Sequence, residues 1–538
     1  MANLAPGILS VYFGEAVLLT VLVSFLLLLA YRRSVARTMR VAIAAPGAAL
    51  PAMATAPPSR LGERRRSPEH VQFHVRFRLV IVYGLAGALA AAVLARMFLD
   101  GLGGAARPLQ VFVVWYVYGW PIPLLLPTLL ALPRRLGLQA FAGFALAGAV
   151  IVAAWSIAAL ALGSGQSAPW QNLVGFSSFL ALQAWAPFLI ILVTGSRRLR
   201  SVTPIVLAGL LVFSFSNLLL TDLFVFSLEF ATVRDKLPLI GAQATLIVWF
   251  MLAAVPVGYL CWTGIRLLNR AYERRAFSDI QLVIDSWWLI AVSFAITLLA
   301  GDWGWGSLAA QLAFSAYRGT VAVGLLLWRV GPATLSGRRL LLLRVFGFQR
   351  RTERLFDVVA QPWRLIGSVK LIGARDLAMR TIDPSDVIGF IGGRLRCHFV
   401  HDGADLMQRL GELRETPDPD GRYRIVKFFC HDHTWRPTLQ ALLARSDVVL
   451  MDLRGFSASN QGCRFELGQL VVSGLLPRTV LAVDDTTDVT LLEGILRDEA
   501  LQLPARPKSA RLNIERIRPS STADLARVRV RLLELAAQ

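Results

Sequence analysis

Residues 447–485 read DVVLMDLRGFSASNQGCRFELGQLVVSGLLPRTVLAVDD. The run from Asp447 to Leu453 is apolar without interruption and too short for an amphipathic helix, the pattern of a strand covered on both faces. A polar loop follows, then a helix over Cys463 to Ser473, then a second apolar strand at Thr479 to Val483. Two buried strands joined through a helix form a parallel crossover, which in turn calls for a sheet with helices on it.

The same alternation extends to both sides. Upstream, strands are expected at Arg339 to Phe346, Ser368 to Ile372, Arg396 to Val400 and Arg422 to Cys430, with an amphipathic stretch around Glu353 to Val359 and a helix over Thr434 to Ala444. Downstream come a helix over Val489 to Ala500, a strand at Arg511 to Ile517 and a helix over Thr522 to Ala536. Residues 335–538 therefore read as one α/β domain with a mostly parallel sheet. In such sheets ligands collect beyond the carboxyl ends of the strands, which places Asp452, Arg454, Asp484 and Asp485 near any site. No G-x-x-x-x-G-K-[ST] loop is present, and Gly389, Gly392 and Gly393 lack the dinucleotide spacing, which argues against a P-loop ATPase or kinase.

The stretch Asn460-Gln461-Gly462-Cys463-Arg464-Phe465-Glu466-Leu467, after the strand DVVLMDL and before TVLAVDD, resembles the centre of a TIR domain. There the pattern S-x-W-C-x-x-E-L opens a helix; here asparagine stands at the serine position and Gly462 at the tryptophan. The resemblance covers about forty residues well and implies a flavodoxin/TIR-like sheet. In the enzymatic branch of that family the helix glutamate engages the ribose while the nicotinamide glycosidic bond of NAD is cleaved. The resemblance implies that role for Glu466, with NAD as substrate; Asp452, Arg454 and Asp484 at the strand ends, with Asn460 at the helix start, are the expected ligand-binding neighbours. On physical grounds alone a second reading stays open: a carboxylate early in a helix favours the positive end of the macrodipole, with Asn460 as N-cap. A metal site is a competing constellation, from Cys397, His398 and His401 with Cys430, His431 and His433, and Cys463, although the spacing matches no common zinc finger. Asp418-Pro419-Asp420-Gly421 reads as a turn and lacks the further carboxylates of a calcium loop.

Before residue 335 the texture changes. The whole chain is 55% hydrophobic and only 17% charged, with the apolar residues massed in its first three-fifths; its mean hydropathy is +0.55. Runs long enough to cross a bilayer fall at 8–31, 79–99, 109–132, 138–162, 173–195, 204–226, 239–263, 282–300 and 307–328, so residues 1–334 read as an α-helical polytopic bundle of about nine spans. The first run is too long for a signal-peptide core and reads as a retained anchor. Arginines cluster after the first, third, fifth, seventh and last runs, an alternation that puts the N-terminus outside and the C-terminal domain in the cytoplasm. The formal charge of +21 is thus mainly topological, and no basic stripe with aromatics points to nucleic acid. Isolated cysteines fit a reducing compartment. Only Lys236, Lys370, Lys427 and Lys508 are lysines, and this arginine-rich composition suggests a bacterial protein and an inner-membrane location.

Within the spans, Glu15, Asp222, Asp285 and Arg318 are ionisable, and Arg318 with Asp222 is the expected intramembrane pair. Three functions follow as expectations. The leading one is a membrane signalling or defence protein with a TIR-like cytosolic domain, hydrolysing NAD if catalytic. The others are a transporter or channel regulated by that domain, and a membrane-anchored scaffold without catalysis. The expected partners are the lipid bilayer and, in a homo-oligomer, further copies of the chain.

Overall fold

The computed structural model describes residues 6–41, 68–101, 108–119, 122–130, 134–161, parts of 171–178 and 202–212, 239–328, 337–344, 355–373, 384–393, 395, 399–431, 433–501, 512–518 and 521–537. The chain divides into two compact units: one holds 1–30, 78–328 and 383–388, the other 31–77, 329–382 and 389–538.

The first unit is helical. Its helices, some of which continue into the second unit, are α1 (Pro6–Val41), α2 (Pro68–Gly101), α3 (Pro108–Gly119), α4 (Ile122–Leu129), α5 (Arg134–Ala161), α6 (Leu239–Glu273), α7 (Asp279–Trp303) and α8 (Gln311–Leu327). Among the described residues five stretches are long and apolar enough to cross a membrane: Ala16–Val35, His70–Met97, Arg135–Ala161, Asp279–Ile296 and Leu308–Leu327. The expected span 239–263 lies inside α6. Of the one expected at 109–132, α3 is described to Gly119 and α4 from Ile122, while 120–121 and 131–132 lie outside the described residues. Pro123 sits in the first turn of α4, where its missing N–H would have no helical partner in any case. Most of 173–195 and 204–226 lies outside the described residues.

Small residues let these helices approach closely, the usual basis of packing between apolar helices. A Cβ on Gly148 of α5 would stand 2.6 Å from the Tyr116 ring of α3, and one on Gly324 of α8 would stand 3.0 Å from Val82 of α2. The Tyr116 hydroxyl donates to the Phe144 carbonyl at 2.7 Å, and the two rings stack at 4.2 Å. Among the described residues Arg318 meets a carboxylate that was not foreseen as its partner. Its Nη1 bonds Asp285 Oδ2 at 2.6 Å, joining α8 to α7, while Asp222 lies outside the described residues.

The second unit is built on a parallel sheet of seven strands: β1 (Arg338–Arg344), β2 (Gly367–Gly373), β3 (Phe399–Val400), β4 (Ile425–Cys430), β5 (Val448–Asp452), β6 (Thr479–Val483) and β7 (Asn513–Arg516). Their order is β3-β4-β2-β1-β5-β6-β7. Every residue of β5 and of β6 is buried, as an apolar strand between two helical layers requires. Helices α10 (Gly403–Glu412), α11 (Trp435–Leu443), α12 (Gln461–Val472) and α13 (Val489–Leu501) contribute to one core with Leu341, Leu343, Val449, Met451 and Leu481. The last helix, α14 (Thr522–Ala537), packs on β5 and β6 and on the helical turn at Phe356–Ala360. Asp447 pins the register of β1 against β5, accepting from the Arg339 backbone N–H at 2.9 Å and from its guanidinium at 2.8 Å.

Several elements depart from expectation. Strand β4 starts at Ile425 rather than Arg422, because Asp418 to Arg422 closes a turn: the Asp418 N–H donates to Arg422 O and the Gly421 N–H to Asp418 O, both at 2.8 Å. Of the strand expected at 396–400 only Phe399–Val400 is described as strand; 396–398 lie outside the described residues. Helices α9 (Pro384–Ile391) and α10 were not foreseen. The C-terminal end of α1 and the N-terminal end of α2 belong to this second unit. There the Tyr31 ring meets Phe390 edge-on at 5.7 Å, and Gln72 Nε2 donates to Pro362 O at 3.3 Å.

Candidate functional site

The chain builds outward from β1 to β2 and β4, then returns past β1 to lay down β5, β6 and β7. The direction of winding reverses between β1 and β5, and in open α/β sheets the crevice beyond that reversal is where ligands bind. Arg344 and Asp452 are register partners at its rim. The loop from β5 to α12 and the loop after β6 bring the candidate residues there.

Asp452 and Arg454 form a closed fork. Arg454 Nε donates to Asp452 Oδ1 at 2.7 Å and Nη2 to Oδ2 at 2.6 Å, with both side chains under a tenth exposed. Burial works against the guanidinium charge, but the hydrogen bonds and charge of Asp452, together with the charge of Asp484, outweigh it and hold the Arg454 pKa above its usual value. Asp484 organises the two loops. Its Oδ1 accepts from the Gly455 N–H at 3.3 Å, the Thr486 N–H at 3.0 Å and the Thr486 hydroxyl at 2.6 Å, while the Thr487 hydroxyl donates to Leu453 O at 3.0 Å. Gly455 takes φ +77°, a conformation that glycine adopts at little cost. Asp485 turns outward to Arg516 at 2.6 Å.

Asn460 stands at the N-cap position of α12 but makes no side-chain cap. Its Oδ1 accepts from the Ser457 N–H at 2.9 Å instead, closing the loop before the helix. That corrects the capping reading of Glu466. A capping partner sits at the third helical position, which Cys463 occupies; Glu466 is three residues further on, with no acidic residue in the first turn. Glu466 is only 4% exposed. A carboxylate this buried is uncommon and calls for a role. Burial pushes the Cys463 thiol up to about 12, and the charges of Glu466 and Asp452 add to the shift, so the thiol and the two carboxylates share one environment.

Glu466, Asp452, Arg454 and Asp484 thus lie on adjoining elements at the carboxyl ends of β5 and β6. Arg454 is held by Asp452, and Asp484 and Asn460 hold loops. The metal reading finds no support: among the described residues no group of three histidine, cysteine or acidic side chains is arranged to hold a metal ion, and Cys397 and His398 lie outside them. His401, His431 and His433 instead form a row of rings, at 5.4 and 5.8 Å between centroids. His433 Nε2 lies 3.2 Å from His401 O. Burial pushes the Cys430 thiol up to about 11. Thr486 and Thr487 were not singled out in the sequence, although Asp-Asp-Thr-Thr after a strand is the composition of a side-chain-bonded turn. In comparisons with known proteins, no family model, no curated protein and no solved structure matches this chain.

Proposed function

We propose that the chain is a membrane signalling or defence protein whose C-terminal unit is a TIR-like domain acting on NAD, with Glu466 engaging the ribose. The observation that carries this reading is the buried Glu466 on the second turn of α12, whose charge acts on the Cys463 thiol together with that of Asp452 at the carboxyl end of β5. A carboxylate fixed in a dry crevice can stabilise an oxocarbenium-like ribosyl cation as the glycosidic bond breaks. The strand order also supports it. The run β2-β1-β5-β6-β7 has the 2-1-3-4-5 winding of flavodoxin-type sheets, to which β4 and β3 add an edge. In this proposal the bundle has nine spans, the N-terminus is outside, and the α/β domain is cytoplasmic at a bacterial inner membrane.

Full-length protein in lipid nanodiscs, incubated with NAD, tests the catalytic part. Wild type is expected to release nicotinamide, and Glu466→Gln to lose activity by about 10²–10⁴-fold, the usual worth of a positioned acid–base or charge-stabilising group. Release that is unchanged in the variant removes Glu466 from the reaction. A scaffold without catalysis is the second reading, favoured by the closed Asp452–Arg454 fork, which leaves the guanidinium engaged within the chain. No nicotinamide release by wild type, dilute or crowded, would select it.

A further inference from the structure

The start of α2 holds two histidines on successive turns. Pro68 opens the helix, and residues 68–77 belong to the same compact unit as the sheet. His70 and His74, four residues apart, share one helix face, so their side chains run out side by side. Both are exposed. Their ring centroids lie 4.2 Å apart while the two Nε2 atoms are only 2.8 Å apart, so the rings converge at their distal nitrogens. Phe73 meets the His74 ring edge-on at 6.1 Å and stacks on Phe77 at 5.9 Å, which limits the swing of the His74 ring.

Without an ion, one Nε2 donates to the other. An exposed bond of this kind adds little stability, because water competes for both nitrogens. The same convergence suits a metal ion better. Neutral imidazole is the commonest metal ligand among side chains, and an ion held by both rings takes the place of the shared proton. Two nitrogens 2.8 Å apart, each at the ~2.0–2.1 Å of an imidazole–metal bond, subtend about 85° at the ion. That is close to the cis angle of a square-planar or tetragonal site, the geometry of copper(II) and nickel(II). We infer that His70 and His74 form a two-nitrogen site for a divalent ion of the nickel and copper type. Among the described residues no third histidine, cysteine or carboxylate joins the pair, so water fills the remaining positions. Magnesium and calcium, which take oxygen ligands, do not match the site. Bound to both rings, the ion clips the first turns of α2 together.

Calorimetric titration of NiCl2 into the tag-free full chain, in nanodiscs of zwitterionic lipid with a tag-free belt, tests the site. The chain has six histidines, the other four at 398, 401, 431 and 433, so His401→Ala with His433→Ala is the control variant. Wild type and the control are expected to bind nickel alike, and MgCl2 to give no binding. His70→Ala and His74→Ala are each expected to weaken nickel binding by more than about tenfold, since losing a ligand costs at least as much as losing an outer-shell partner. Alanine suits a helix and both side chains are exposed, so the variants keep their helix content. No nickel binding by wild type overturns the site, and so does binding that survives either substitution unchanged. The electron paramagnetic resonance of wild type with one equivalent of CuSO4 gives a second readout that needs no variant: coupling to two nitrogens is expected, and coupling to one or none overturns the site.

Discussion

At the scale of single residues, the candidate site is governed by burial. Cys463, at the third position of α12, has the placement of a reactive thiol at a helix start, yet burial and the neighbouring carboxylates hold it protonated. The expected consequence is measurable as a pH dependence. In the folded chain the thiol keeps its proton up to about 12, whereas the unfolded chain loses it from an ordinary 9.0. Its contribution to stability is therefore complete below pH 9 and is lost as pH rises through about 12. Alkylation of native Cys463 by iodoacetamide at neutral pH should be slow and should accelerate only in strong alkali, and Cys463→Val should weaken the alkaline loss of stability. Fast alkylation at neutral pH would contradict the burial. Lys370, in the middle of β2, shows the same logic with a partner: it is wholly buried, and its ammonium reaches Glu415 and the Arg445 carbonyl. Burial lowers its pKa while Glu415 works to raise it.

Elements show where sequence reasoning succeeds and where it stops. The strands at 448–452 and 479–483 were legible because parallel strands between helical layers carry unbroken apolar runs. Helix α10 was passed over although Asp402 caps it, accepting from the Asp405 N–H at 2.8 Å, and Leu406 and Leu410 supply its buried stripe. Its mean composition is polar, and only one narrow face is covered. The Arg318–Asp285 contact was not foreseen for a different reason: hydropathy finds spans, but only packing decides which spans touch, and α8 meets α7 through Asp285. Helix contacts in the bundle can be tested with a matched pair of glycines on α5. Gly143→Ala meets nothing within 4 Å and should be silent. Gly148→Ala drives a methyl into the Tyr116 ring and should cost about 1–3 kcal/mol, the usual penalty of overpacking, read as a lower melting temperature in detergent. Equal melting temperatures for the two variants would mean that α3 and α5 do not pack as described.

For the whole molecule, the sequence distinguished an apolar helical part from an α/β part, and the structure contains both. Less legible was the sharing of chain between units: the ends of α1 and α2, from Tyr31 to Phe77, belong with the sheet and not with the bundle. That division depends on tertiary contacts such as Tyr31 with Phe390, which no local pattern encodes. Glu466 was found through a motif, whereas its burial and its neighbours came only from the fold. An NAD-cleaving or signalling role requires the sheet to face the cytosol, so sidedness tests the account most directly. In spheroplasts, a protease site placed after Gln538 should resist external protease until the membrane is permeabilised, and a site placed before Pro6 should be cut at once. Cleavage of the C-terminal site in intact spheroplasts would contradict the account.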